Sequence, residues 1–196
     1  MCADSPQILN ASAQLCTGFD PALDNRWQPH LFTEPGSEST RRINVLKLHG
    51  SATWKRDGDG NPVDTRWPMP TEHDCLLFFG YKSVPESEPF AHIHNLLKEA
   101  LLRCDVAIVV GFRFGDPYIR ELFDFGLRAN QNLRMICCAR KQPDGSSHLA
   151  NILQTFKGRA VLLQTKPGEL VSFGDPRFET ALESHLTGEL FGAASV

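Results

Sequence analysis

The stretch Val106-Ala-Ile-Val-Val-Gly-Phe-Arg-Phe-Gly-Asp116 joins five uncharged, mostly β-branched residues to a glycine-bearing turn and an aspartate, and Pro117 follows. The apolar run predicts a fully buried strand over Val106–Val110, because its length and branching suit a strand covered on both faces. Asp116 and Pro117 suit the cap and first position of a helix: aspartate accepts a first-turn amide, and proline has no amide to leave unpaired. Ile119, Leu122, Phe123 and Leu127 then recur on one helical face. The same alternation continues outward from this strand, turn and helix. Residues 75–79 read as a preceding strand, and Phe90, Ile93, His94, Leu97 and Leu101 fall at helical spacing after the start signal Ser87-Glu-Pro89. Downstream, residues 135–139 form another uncharged run. The Pro143-Asp-Gly-Ser turn then leads to a predicted helix over 147–156, a strand over Ala160–Gln164 and a last helix near 176–190. Short uncharged runs alternating with longer amphipathic ones predict an α/β chain with parallel strands joined by helices.

Size and charge narrow the possible functions. A chain of 196 residues suffices for one ordinary domain with a sizeable core. The net charge of −3, spread along the chain, provides neither a basic field for nucleic acid nor a polybasic patch for a membrane surface. The pair Arg41-Arg42 reads as the end of a solvated polar loop over residues 33–42. The N-terminus lacks the charged start and apolar core of a secretory signal, and no segment reaches bilayer-spanning length, so a soluble cytoplasmic protein is expected. Six cysteines, at positions 2, 16, 75, 104, 137 and 138, include no Cys-x-x-Cys pair. Several lie in apolar runs as small hydrophobes, and neither a zinc ribbon nor a disulfide framework nor another metal site is expected.

Two segments carry candidate chemistry. Lys47-Leu-His-Gly-Ser51 follows the apolar segment 43–48 and precedes Trp54, which puts His49 on a turn at the end of a strand, where a side chain can face a ligand. Gly50 removes bulk beside it and Ser51 adds a hydroxyl, and an imidazole titrates close enough to neutral pH to serve as a general base. The plainer reading is a hydrogen-bonded surface or core histidine. The second segment is Gly111 through Asp116, at the carboxyl end of a strand, where ligands of open α/β sheets bind. Gly111 and Gly115 permit close approach, the helix start offers amides, and Arg113 can meet a phosphate. Here the plainer reading is an ordinary turn with a capping aspartate. His92 and His94 lie on the predicted helix and read as surface and packing. Asp57-Gly-Asp-Gly-Asn61 predicts a hairpin of residues 52–56 and 62–67, and lacks the glutamate a calcium loop needs.

Thr17-Gly-Phe-Asp20, Lys47-Leu-His-Gly-Ser51 with Trp54, and Val110-Gly-Phe-Arg-Phe-Gly-Asp-Pro-Tyr-Ile119 occur in the order seen in the sirtuin-like family of bacterial NAD-consuming domains, which residues 14–140 resemble. The resemblance implies a partial doubly wound, Rossmann-like parallel sheet with helices on both faces and a small hairpin insertion. It implies a single domain over 1–196, with 141–196 as a βα extension. The implied substrate is NAD, cleaved by water at the nicotinamide–ribose bond to nicotinamide and ADP-ribose, in a setting of bacterial antiphage defence or signalling. His49 is the implied general base, and Asp20 would meet the nicotinamide carboxamide. Thr17, Gly50, Gly111, Phe112, Arg113 and Asp116 complete the implied nucleotide-binding set.

Three departures accompany the resemblance. The family opens with a strand and a Gly-rich turn that residues 1–13 do not supply, so the chain reads as a fragment of the full domain. Gly18 stands where the family carries an asparagine that holds the ribose and the attacking water. Arg113 replaces a small hydroxyl residue. Two alternatives follow: a catalytically degenerate module for nucleotide binding or protein interaction, and a remnant whose exposed sheet edge is covered by a second copy or a partner chain.

Overall fold

A computed structural model describes residues 13–33, 41–66, 86–139, 143–164 and 180, with two compact units, Met1–Leu96 and Leu97–Val196. The strand predicted over 75–79 and, Thr180 apart, the helix near 176–190 lie outside the described residues.

In the first unit, strand β1 (Ala13–Cys16) pairs in parallel with β4 (Arg41–Asn44), Leu15 opposite Ile43. This corrects two expectations. Arg41 and Arg42 belong to a strand rather than a solvated loop, and the strand ends at Asn44 instead of running over 43–48. The parallel register with β1 decides both ends, since backbone pairing continues only as far as the Val45 amide, 2.8 Å from the Cys16 carbonyl oxygen. The Arg42 guanidinium turns inward to Cys16 Sγ at 2.9 Å.

The hairpin forms as predicted, with β5 (Trp54–Arg56) antiparallel to β6 (Pro62–Asp64). At its tip the Asp57 carboxylate accepts from the amides of Asp59 and Asn61 at 3.0 and 2.9 Å. The Asn61 amide above all, with the Asp59 amide and the Arg26 guanidinium, holds that carboxyl below its ordinary range. Two short strands missed in the sequence, β2 (Phe19–Asp20) and β3 (Arg26–Trp27), extend the hairpin into an antiparallel sheet ordered β2-β3-β6-β5. Phe19, Trp27, Phe32, Trp54, Phe90 and Ile93 form the core beneath it. The Phe19 ring lies 5.2 Å from Trp27 and 4.9 Å from Trp54, in the tilted and edge-on arrangements that aromatic quadrupoles favour.

Helix α1 (Phe90–Arg103) starts where Ser87-Glu-Pro89 places it and carries the chain into the second unit. There β7 (Val106–Val110), β8 (Arg134–Ala139) and β9 (Ala160–Gln164) form a parallel sheet with β8 central. Helices α2 (Pro117–Ala129) and α3 (His148–Thr155) follow β7 and β8. Asp116 caps α2 as the sequence indicates, its Oδ1 accepting from the Ile119 amide at 3.0 Å, and Ser147 caps α3, its Oγ accepting from the Ala150 amide at 3.2 Å. The expectation of a fully buried β7 is corrected. Only Val109 is buried, while Ile108 is 37% and Val110 61% exposed. The reason is position, because β7 has one hydrogen-bonded neighbour among the described strands, whereas β8 has two.

The ends of α1 and α2 are tied together. Asn130 Nδ2 donates to the carbonyl oxygens of Leu101 and Cys104 at 3.2 and 2.8 Å, satisfying acceptors that a helix end leaves open. Gly126 lets α2 approach α1, since a Cβ there would lie 2.8 Å from Leu101 Cβ. In an open helix Gly→Ala gains roughly 1 kcal/mol, but overpacking costs about 1–3 kcal/mol, and a Cβ contact so near the backbone has little room to relax. Gly126→Ala is therefore expected to lower stability in urea unfolding. Burial, and secondarily the neighbouring Cys138, push the Cys137 thiol up to about 12. We predict that iodoacetamide at pH 8 leaves Cys137 unmodified in the native protein and alkylates it in urea, as read by peptide mass spectrometry.

Candidate functional site

In the first unit the candidate residues follow the carboxyl ends of the two paired parallel strands. Thr17 comes directly after β1. Asp20 closes β2, and its Oδ1 accepts from the Ala22 amide at 2.8 Å, capping the short helical turn Pro21–Leu23. The second carboxylate oxygen has no hydrogen-bond partner among the described residues. His49 sits half-buried in the turn after β4. The Gly50 amide closes that turn on the Lys47 carbonyl oxygen at 2.9 Å, and Gly50 adopts φ +82°, a left-handed conformation that favours glycine. Ser51 is not a loose hydroxyl beside the imidazole. It receives Lys47 Nζ at 3.1 Å and lies 3.1 Å from Thr53 Oγ1, so it braces the turn. Leu46 and Leu48 pack against the same cluster as Phe19 and Trp54, which draws the Thr17–Asp20 and Lys47–Ser51 segments onto one core.

Gly18 has a stricter requirement than Gly50. Its φ is +81°, and a Cβ would lie 2.3 Å from a Trp27 ring carbon and 2.5 Å from one of Phe32. The space that a side chain at position 18 needs is filled by aromatic rings.

In the second unit, residues 111–116 leave β7 as an alternating loop. Gly111, Arg113 and Gly115 are exposed, while Phe114 is fully buried. Phe114 has φ +59°, a conformation costly for a bulky residue, and is held between Phe112 and Phe123, with ring centroids 5.0 and 5.4 Å away. This aromatic anchor, overlooked in the sequence, fixes the loop and turns its glycines outward. Gly111 has φ +72° with nothing within 4 Å of a notional Cβ, which leaves open space for a ligand atom to approach the backbone. The Arg113 side chain has no hydrogen-bond or ion-pair partner among the described residues. The start of α2 is less available than its sequence suggests. Pro117 has no amide, Asp116 Oδ1 takes that of Ile119, and the Asp116 carbonyl oxygen takes that of Arg120 at 3.0 Å.

Among the described residues no three His, Cys, Asp or Glu side chains group as metal ligands. No helix among them is long and apolar enough to cross a membrane.

Each unit has parallel strands with a candidate turn beyond their carboxyl ends, the histidine turn in the first and the glycine turn in the second, and this is the architecture of an α/β protein. The sequence matches the SIR2-like domain over residues 12–161, most of the chain, and the protein belongs to that family, whose members are NAD-related. No curated protein matches it.

The two glycines give a test of this geometry. Gly111→Ala carries the strain of a left-handed φ alone, on the order of 1 kcal/mol. Gly18→Ala adds a clash with two packed rings, so its loss in urea unfolding is expected to exceed that of Gly111→Ala by about 1–3 kcal/mol.

Proposed function

We propose that the protein is a sirtuin-like NAD glycohydrolase that splits NAD into nicotinamide and ADP-ribose, acting in bacterial defence or signalling. The observation that carries this reading is the His49 turn: a histidine placed beyond a parallel strand pair, in a backbone braced on both sides, within a chain of the SIR2-like family. Water is the nucleophile. The C–N bond between the anomeric carbon and nicotinamide breaks as a C–O bond to water forms, through a transition state with oxocarbenium character, and the water proton passes to the His49 imidazole. Asp20, through the carboxylate oxygen not used in capping, holds the nicotinamide carboxamide, with Thr17 and Gly50 beside it. Gly111, Phe112, Arg113 and Asp116 serve the ribose and phosphates, Arg113 by charge and Gly111 by the open approach to its backbone.

A second reading, a degenerate module that binds the nucleotide without turning it over, is favoured by one observation. Trp27 and Phe32 occupy the place of any side chain at position 18, so the family's asparagine has no counterpart here.

Incubation of the full chain with NAD, followed by chromatography of nicotinamide and ADP-ribose, separates the two. Stoichiometric appearance of both products, falling at least about a hundredfold in His49→Ala, is expected if proton transfer is catalysed there. Equal release by both proteins overturns the hydrolase reading. ADP-ribose binding in calorimetry without turnover establishes the module.

A further inference from the structure

A second histidine, outside the residues assigned above, reaches the turn that carries His49. His94 lies on α1 and is 4% exposed, and its Nε2 is 2.8 Å from the carbonyl oxygen of Leu48. A carbonyl oxygen only accepts, so Nε2 carries the proton and donates, which defines the tautomer of the neutral ring. Leucine would serve the apolar phase of the helix equally well. Burying an imidazole costs less when a ring nitrogen is bonded, and the group that Nε2 bonds belongs to the residue immediately before His49.

The surrounding packing makes this bond a rigid one. Ile93, next to His94 and fully buried, belongs with Phe90 to the core cluster against which the Leu48 side chain packs. Leu48 is thus held twice, by its side chain in the cluster and by its carbonyl on His94. Downstream of His49 the turn is held independently, by the Gly50 amide on Lys47 and by Lys47 Nζ on Ser51 Oγ.

We propose that His94 is a positioning residue for His49, setting the orientation of the turn through its hydrogen bond to the Leu48 carbonyl. This rests on the reading of His49 as the general base. His94 touches no reacting atom. A peptide plane released on one side of a catalytic imidazole can rotate, and a displacement of about 1 Å costs on the order of a hundredfold in rate.

The test compares two variants of equal side-chain length in the full chain. His94→Gln keeps an N–H donor, and His94→Met removes it. With NAD as substrate, kcat for His94→Met is expected to fall about ten- to a hundredfold while KM stays within about twofold, and His94→Gln is expected to recover to within about threefold of wild type. In nitrogen-15 NMR, the His49 ring resonances shift in His94→Met and stay near wild type in His94→Gln, with the His148 ring as internal reference. Equal kcat in the two variants, or an unmoved His49 ring in His94→Met, overturns the proposal. A His94→Met chain that does not fold transfers the test to the wild-type protein, where a His94 ring protonated on Nδ1 rather than Nε2 overturns it and a hydrogen-bond coupling from Nε2 to the Leu48 carbonyl supports it. If the wild-type chain releases no nicotinamide, the hydrolase reading falls, and the His49 ring resonances alone decide the positioning role.

Discussion

Parallel pairing sends neighbouring strands out of a sheet at the same edge, and both compact units are built on that constraint. In the first unit, pairing of Ala13–Cys16 with Arg41–Asn44 releases Thr17 and Val45 side by side, so that the Asp20 segment and the His49 turn start from adjacent backbone. In the second, β7 ends at Gly111, whose amide still reaches the Cys138 carbonyl oxygen at 3.2 Å on the neighbouring strand. The loop therefore leaves the sheet at a defined point, and its shape is decided within the next few residues by Phe114. Each candidate residue inherits its place from where a strand pair stops.

Aromatic packing takes over where pairing ends. In the first unit, Phe19, Trp27, Phe32, Trp54 and Phe90 form one cluster, and the turns around it are anchored to it through Leu46 and Leu48. Trp27 is also tied by its indole nitrogen to Glu88 at 2.9 Å, which fixes the ring that crowds Gly18. That crowding has a chemical consequence. Position 18 holds no side chain because the two rings fill its space, and under the hydrolase proposal the chemistry at the turn falls on His49 and Asp20. In the second unit the price of a left-handed phenylalanine at 114 is offset by contacts on both sides of its ring.

Local signals were legible wherever their physics is local. Asp116-Pro117 marked a helix start because a cap needs only its own side chain and the next three amides. The Asp57–Asn61 tip marked its hairpin because the turn is satisfied by its own carboxylate. The β8 and β9 runs were legible from their uncharged composition. By contrast, Ala13–Cys16 and Arg41–Asn44 become strands only by finding each other across 28 residues of register, and Arg42 is drawn from a polar run by the sulfur of Cys16. The exposure of Val110 was equally invisible, since an apolar run has the same composition at a sheet's centre and at its flank.

The amino-acid order by itself determined the helices, the β7, β8 and β9 strands, the cap of α2, the hairpin tip and the family motifs, because these depend on patterns and contacts within short stretches of chain. Tertiary structure alone decided that Gly18 is closed over by Trp27 and Phe32, that Phe114 anchors the loop after β7, and that His94 is bonded to the turn before His49. Each of those joins groups that only packing brings within hydrogen-bond or van der Waals distance. A histidine at helical spacing looks like core filling until the carbonyl it donates to, 46 residues away in sequence, comes into view.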